Sequence, residues 1–150
     1  MLPAKLFAVL AFAFAILAGL ALLLTLPSLD VPMHSMYFVL APRHVLLFCA
    51  VTSLNFAVLY YAAVRFFHGR WNRALSALHF SLFVCSGISL SVAFAMSARV
   101  AKSADVGEAL RWLVIPSSLG ILSLVACLVV FGVNLLAVIV QIVRARFASH

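Results

Sequence analysis

Acidic residues are scarce in this 150-residue chain, which has three aspartates and glutamates against ten lysines and arginines. Charged residues together make up 9% of the sequence, whereas a soluble domain has about 25%. Hydrophobic residues make up 67%, well above the roughly 45–50% that is usual in soluble domains. The lack of charge excludes an ordinary soluble domain and indicates an integral membrane protein.

The sequence also lacks the common catalytic patterns. It contains no glycine-rich phosphate loop, no His-Glu-x-x-His motif, no Ser–His–Asp pattern and no paired carboxylates, so hydrolytic and phosphoryl-transfer chemistry has no support. The three cysteines, Cys49, Cys85 and Cys127, are isolated within apolar runs, which is typical of small buried hydrophobic side chains. Membrane topology explains the net charge of +7, and we expect no nucleic-acid partner.

Four long uncharged runs make up most of the chain. They contain 24, 21, 25 and 32 residues and are bounded by Lys5 and Asp30, Arg43 and Arg65, Arg73 and Arg99, and Arg111 and Arg144. Because a spanning helix needs about 20 apolar residues, the sequence predicts an all-α polytopic membrane protein. We expect a bundle of four transmembrane helices that forms a single domain over residues 1–150. The predicted helices cover about residues 6–26, 42–67, 74–97 and 112–143.

Basic residues are distributed unevenly between the two ends of the predicted bundle. Six lie at the end that holds both termini and the middle loop, and four lie at the other end with all three acidic residues. Because cytoplasmic segments are enriched in lysine and arginine, the distribution predicts that both termini are cytoplasmic. The first run is longer than the roughly 7–15 apolar residues of a secretory signal, so we interpret it as a retained helix. The expected location is the inner membrane of a bacterium.

His44 is the leading candidate for a functional residue. It follows Arg43 directly and lies about one turn inside the second predicted helix, where an imidazole must be paired or bound to a metal. A haem iron accepts a neutral imidazole, and the haem propionates need cations, which Arg43, Arg99 and Lys102 supply on the same predicted side. The alternative is a hydrogen bond from His44 to a neighbouring helix, which spacing alone favours.

Other polar residues near or within the spans have simpler interpretations. His34 and Asp30 lie in the outer loop without an evident third metal ligand, which favours hydrogen bonding at the rim. His79 enters the bilayer from the side opposite to His44, so a metal at His79 would form a separate site, and a helix–helix hydrogen bond is favoured instead. Asn55 lies in mid-span, and we expect it to hydrogen-bond to a neighbouring helix because an amide is costly in hydrocarbon.

Residues 28–44 resemble part of subunit I of the haem–copper oxidases. That family has Ser-Leu-Asp, three further residues, and then His-Asp-Thr-Tyr-Phe-Val-Val-Ala-His-Phe-His. At the same spacing this chain has Ser28-Leu29-Asp30 and then His34-Ser35-Met36-Tyr37-Phe38-Val39-Leu40-Ala41-Pro42-Arg43-His44. Looser similarities around residues 69–80 and 112–120 extend the resemblance over nearly the whole chain. They align it with the last four of the family's twelve helices.

The resemblance implies specific roles for several residues. His44 matches the family's ligand to the low-spin haem, and Tyr37 belongs to the same matching block. Arg99 and Lys102 approximate the arginine pair that contacts the propionates. Pro42 stands where the family has its high-spin haem ligand, and nothing in the chain matches the copper-binding histidines. We therefore do not expect the chain to be an enzyme that reduces oxygen on its own.

Two functions compete on these grounds. In the first, the chain is a haem-binding electron-transfer subunit in which His44 is one axial ligand and another chain supplies the second. A symmetric dimer is attractive here, because a two-fold axis brings identical residues together. In the second, the chain keeps the family's fold without the cofactor and serves as an accessory or assembly subunit of a respiratory membrane complex.

Overall fold

A computed structural model describes residues 2–24, 29–33, 36–40, 42–67, 70–100 and 106–147, with the side chains of residues 2–24, 43–66, 70–97 and 113–147. Its helices are α1 (Leu2–Leu23), α2 (Pro42–Phe67), α3 (Arg73–Val100) and α4 (Val106–Phe147). All four are long and apolar enough to cross a membrane. The prediction of four helices of spanning length is confirmed.

The helix bounds differ from the prediction at several ends. α2 covers the predicted residues 42–67, whereas α1 is displaced towards the N-terminus and ends at Leu23. α3 is slightly longer than predicted, and α4 begins six residues earlier than position 112 and continues to Phe147. At the ends that extend further than predicted, the physical reason is that a charged residue marks the edge of an apolar run, whereas the backbone hydrogen bonding of a helix can continue past that residue. Pro116 lies inside α4 rather than at a helix start.

A short antiparallel pair of strands between α1 and α2 was not predicted. β1 (Leu29–Met33) pairs with β2 (Met36–Leu40), and the register places Leu29 opposite Leu40 and Met33 opposite Met36. Residues 36–40 include two aromatic residues and a valine, which favour strand geometry. The strand pair covers most of the segment that resembles the oxidase motif, and β1 contacts α3.

The helices pack as two pairs. α1 packs mainly against α2, and α3 mainly against α4, while α3 also contacts both helices of the first pair. On α1 the inward positions recur at alternating steps of three and four residues, which places them on one face. These buried residues are Ala4, Phe7, Ala11, Phe14, Ala18 and Ala21. Alanines between the phenylalanines let the neighbouring helix approach closely.

Two glycines lie where helices meet. A Cβ atom added at Gly120 of α4 would lie 2.8 Å from Leu90 Cγ and 3.2 Å from the Leu90 backbone nitrogen. A Cβ atom added at Gly87 of α3 would lie 2.8 Å from Cζ of Phe14 on α1. The absence of a side chain at these two positions therefore allows α3 to pack closely against both partners.

The outer surface of the four helices is largely apolar. Exposed large side chains occur on every helix, among them Phe12, Val51, Ile88 and Leu122. A soluble monomer rarely exposes continuous apolar surface on this scale. The distribution is the one expected of helices that face lipid or other helices.

Candidate functional site

His44 lies on the outer surface of α2. Its side chain is exposed two residues after the helix begins, and the preceding Arg43 is half-buried. Phe48 and Val51 follow on the same face of α2, one and two helical turns further along the chain. Their side chains are 63% and 59% exposed. The imidazole is therefore accessible to a group outside the four helices of this chain, rather than to one enclosed within them.

Four of the predicted site residues fall outside the described side chains. His34 and Lys102 lie outside the described residues altogether. Tyr37 and Arg99 have a described backbone only, in β2 and α3 respectively. Of the residues proposed to hold haem, the structure thus places the side chains of Arg43 and His44, which are adjacent at the start of α2.

Asn55 faces away from the other described helices of its own chain. We expected its amide to hydrogen-bond to a neighbouring helix, but its side chain is exposed on α2, and no hydrogen bond joins it to another helix of the described chain. Instead Ser53, two residues earlier, is fully buried. Two residues along a helix correspond to a rotation of about 200° about its axis, so Ser53 and Asn55 lie on nearly opposite faces. Only one of the two can face the bundle. Asn55 lies on the exposed face that also carries His44, eleven residues before it.

His79 lies at the centre of the bundle and bonds across two helices. It is fully buried, and its Nδ1 atom is 3.1 Å from the hydroxyl of Tyr60 on α2. The helix–helix hydrogen bond favoured for His79 from the sequence is therefore present. Its Nε2 atom has no hydrogen-bond partner among the described residues.

Aromatic rings enclose the His79 imidazole. The ring centroids of Phe56, Phe7 and Phe131 lie 4.5, 4.8 and 5.0 Å from it. These rings come from α2, α1 and α4, so the imidazole on α3 contacts every other helix of the bundle. If the Tyr60 hydroxyl donates to Nδ1, the imidazole proton is on Nε2 and points into this aromatic shell. The arrangement gives the bundle a common packing centre.

A polar network joins the start of α3 to α4. The side-chain oxygen of Asn72 accepts hydrogen bonds from the backbone N–H groups of Ala74 and Leu75, at 2.9 and 3.2 Å, and so caps α3. The fully buried Asn134 accepts from the Asn72 N–H at 3.1 Å and donates to the Ser76 hydroxyl at 3.0 Å. Both the oxygen and the NH₂ group of the buried Asn134 amide therefore have a hydrogen-bond partner.

The residues before this cap are held to α2 and α4. The indole N–H of Trp71 donates to the Tyr60 carbonyl at 3.2 Å, and the Arg70 N–H donates to the Gln141 side-chain oxygen at 3.3 Å. None of Trp71, Tyr60, Asn134 and Gln141 was assigned a role from the sequence. Isolated polar residues in long apolar runs were the available signal, because such residues usually meet a partner on another helix.

The described residues contain no group of three or more His, Cys, Asp or Glu side chains that could hold a metal ion. A haem is not subject to this requirement, since its porphyrin supplies four nitrogen ligands and the protein adds one or two. No protein-family model, curated protein or solved structure matches the chain. The resemblance to the oxidases therefore stays a prediction that depends on the motif of residues 28–44.

Proposed function

We propose that the chain is an integral membrane electron-transfer subunit that binds haem at an interface with a second chain. His44 supplies one axial ligand and the second chain supplies the other. The observation that supports this proposal is the position of His44 on the outer surface of α2. If one haem lies between two chains, the histidine that binds its iron has to be accessible from outside the bundle of its own chain.

The neighbours of His44 fit one half of a haem site. The imidazole would bind iron, and Phe48 and Val51, both exposed on the same face, would contact the apolar macrocycle. Arg43, next to His44 in the chain, would meet a propionate. When bound, haem would carry one electron by cycling between its ferric and ferrous states. The chain's own contribution is to orient the ligand and to exclude water from one side.

A second copy of this chain is the simplest partner. Asn55 is exposed on the face that carries His44, about 16 Å along α2, given the helical rise per residue. An exposed amide in hydrocarbon is costly, and an asparagine side chain both donates and accepts hydrogen bonds, so two copies related by a two-fold axis satisfy each other. This face, defined by His44, Phe48, Val51 and Asn55, is the proposed dimer face.

Visible absorption spectra of the purified protein test the proposal. We expect sharp reduced-state haem bands in protein from haem-replete cells, their loss in His44→Ala and their retention in His79→Ala. The second variant is the matched control because His79 is buried behind aromatic rings at the centre of the bundle. A colourless preparation, or bands that persist in His44→Ala, would contradict the proposal.

The second candidate is a haem-free accessory or assembly subunit of a respiratory membrane complex. It is favoured by the hydrogen bonds of the bundle interior, in which His79 bonds to α2 and Asn134 bonds to α3. In this case the exposed apolar and polar residues of α2 would contact a larger subunit. A colourless protein that co-purifies with an oxidase complex, and leaves it when Asn55 is replaced by leucine, would support this function over the first.

A further inference from the structure

A cavity of about 680 Å³ opens at the end of the bundle opposite to His44. It lies where α1 begins, α2 ends and α3 begins, and its volume is within the roughly 300–1,000 Å³ typical of ligand sites. Leu2, Leu6 and Val64 form part of an apolar wall, and Arg70 and Arg73 form a cationic rim. One region of the surface thus joins a hydrocarbon-like wall to two guanidinium groups.

The backbone that carries these arginines is fixed by the hydrogen bonds described above. The Arg70 N–H donates to Gln141, and the Trp71 indole donates to the Tyr60 carbonyl. Arg73 directly follows Asn72, which caps α3 and is itself held by Asn134. Because three hydrogen bonds from two other helices hold this short segment, the backbone that carries both arginines is fixed beside the cavity before any ligand binds.

The surrounding charge is of one sign. Lys5, Arg65, Arg144 and Arg146 fall at the same end of the bundle by sequence. The three acidic residues fall at the other end: Asp30 lies in β1, Asp105 directly precedes α4 and Glu108 lies in its first turn. Both guanidinium groups at the cavity are exposed. Positive potential at this end attracts anions and is not offset by a nearby carboxylate in the sequence.

We infer that this cavity binds an anionic phospholipid, with the headgroup phosphate between Arg70 and Arg73 and an acyl chain along Leu2, Leu6 and Val64. Free phosphate would leave the apolar wall without a partner, and a neutral lipid would leave the guanidinium groups without one. Trp71, which also lines the cavity, is a residue type that concentrates at the level of lipid headgroups. Basic pockets between transmembrane helices are known to select anionic headgroups.

Native mass spectrometry of the full chain in detergent tests this inference, with phosphatidylglycerol, phosphatidylcholine and inorganic phosphate added separately. We expect phosphatidylglycerol to bind and the other two to bind much more weakly. The double variant R70Q/R73Q should weaken phosphatidylglycerol binding by roughly ten- to thirty-fold, from the contribution of each basic residue to anionic lipid binding. The matched control R144Q/R146Q removes the same charge at the same end but from outside the cavity lining.

Three results would overturn the inference. Equal weakening in both double variants would mean that the attraction is general rather than local. Equal binding of phosphatidylcholine would remove the role of charge, and equally tight binding of inorganic phosphate would remove the role of the apolar wall. If R70Q/R73Q does not fold, Val64→Trp fills the cavity while keeping both arginines, and undiminished phosphatidylglycerol binding in that variant would also contradict the site.

Discussion

Asn134 and Asn55 are amides in the middle of long apolar helices, and their surroundings give them opposite roles. Asn134 is fully buried and bonds to Asn72 and Ser76, so it stabilises the bundle internally. Asn55 is exposed on the proposed dimer face. At the level of single residues, burial therefore distinguishes the amide that holds this chain together from the amide that is available to a partner.

Replacing Asn134 by alanine should destabilise the chain itself. The variant removes two hydrogen bonds and leaves the Asn72 N–H without its acceptor, which costs about 1–3 kcal/mol. Denaturant unfolding of the detergent-solubilised protein, followed by circular dichroism, measures this loss. Asn55→Ala is the matched control, expected to change the free energy of unfolding of the monomer by less than about 0.5 kcal/mol while lowering the dimer fraction. Equal losses in the two variants would show that burial does not distinguish these amides.

At the scale of helices, the close approach of α3 to α4 depends on Gly120. A side chain there would meet Leu90, including its backbone nitrogen at 3.2 Å, and backbone cannot move aside without displacing the helix. On the same helix, an added Cβ at Gly132 would meet no atom within 4 Å. Alanine substitutions at the two glycines therefore distinguish the effect of helix packing from the effect of intrinsic helix propensity.

Gly120→Ala should destabilise the bundle by about 1–3 kcal/mol, because overpacking forces α3 and α4 apart. Gly132→Ala should be neutral or stabilise by up to about 1 kcal/mol, since alanine favours helix where space allows. Thermal unfolding of both variants in detergent measures the difference. A Gly120→Ala protein as stable as Gly132→Ala would show that the helices do not meet as described.

The existence of four spanning-length helices was predictable because charge and hydropathy change sharply at their limits. The inward faces were not, since α1 is apolar all round and its sequence does not distinguish Phe12, which is exposed, from Phe14, which is buried. The strand pair was missed because two segments of five residues lack a long periodic pattern. The orientation of Asn55 away from its own bundle was not predictable, because depth along a helix gives no information about which way a side chain points.

For the candidate site, the sequence identified single residues but not their assembly. His44 stood out by its position next to Arg43, and its exposure became apparent only with the neighbouring helices in place. The cavity beside Arg70 and Arg73 is formed by three segments that are distant in the chain, so no local sequence motif predicts it. Sites built from side chains of several helices need tertiary structure to be recognised.

At the scale of the whole molecule, the basic residues predict how the bundle is inserted. Reporter fusions test this orientation: a fluorescent protein joined after residue 150 should fluoresce in the cytoplasm, and alkaline phosphatase joined there should be inactive. A phosphatase fusion between residues 100 and 106, which join α3 to α4, is the control and should be active. Active phosphatase at the C-terminus would reverse the orientation and place the cationic cavity on the other side of the membrane.

In the proposed dimer, one haem is shared between two chains through His44. Native mass spectrometry of the protein purified from haem-replete cells measures this stoichiometry directly. We expect a species with the mass of two chains and one haem, and its absence in His44→Ala. One haem retained by a single chain, or a dimer and a monomer that both lack haem, would contradict it.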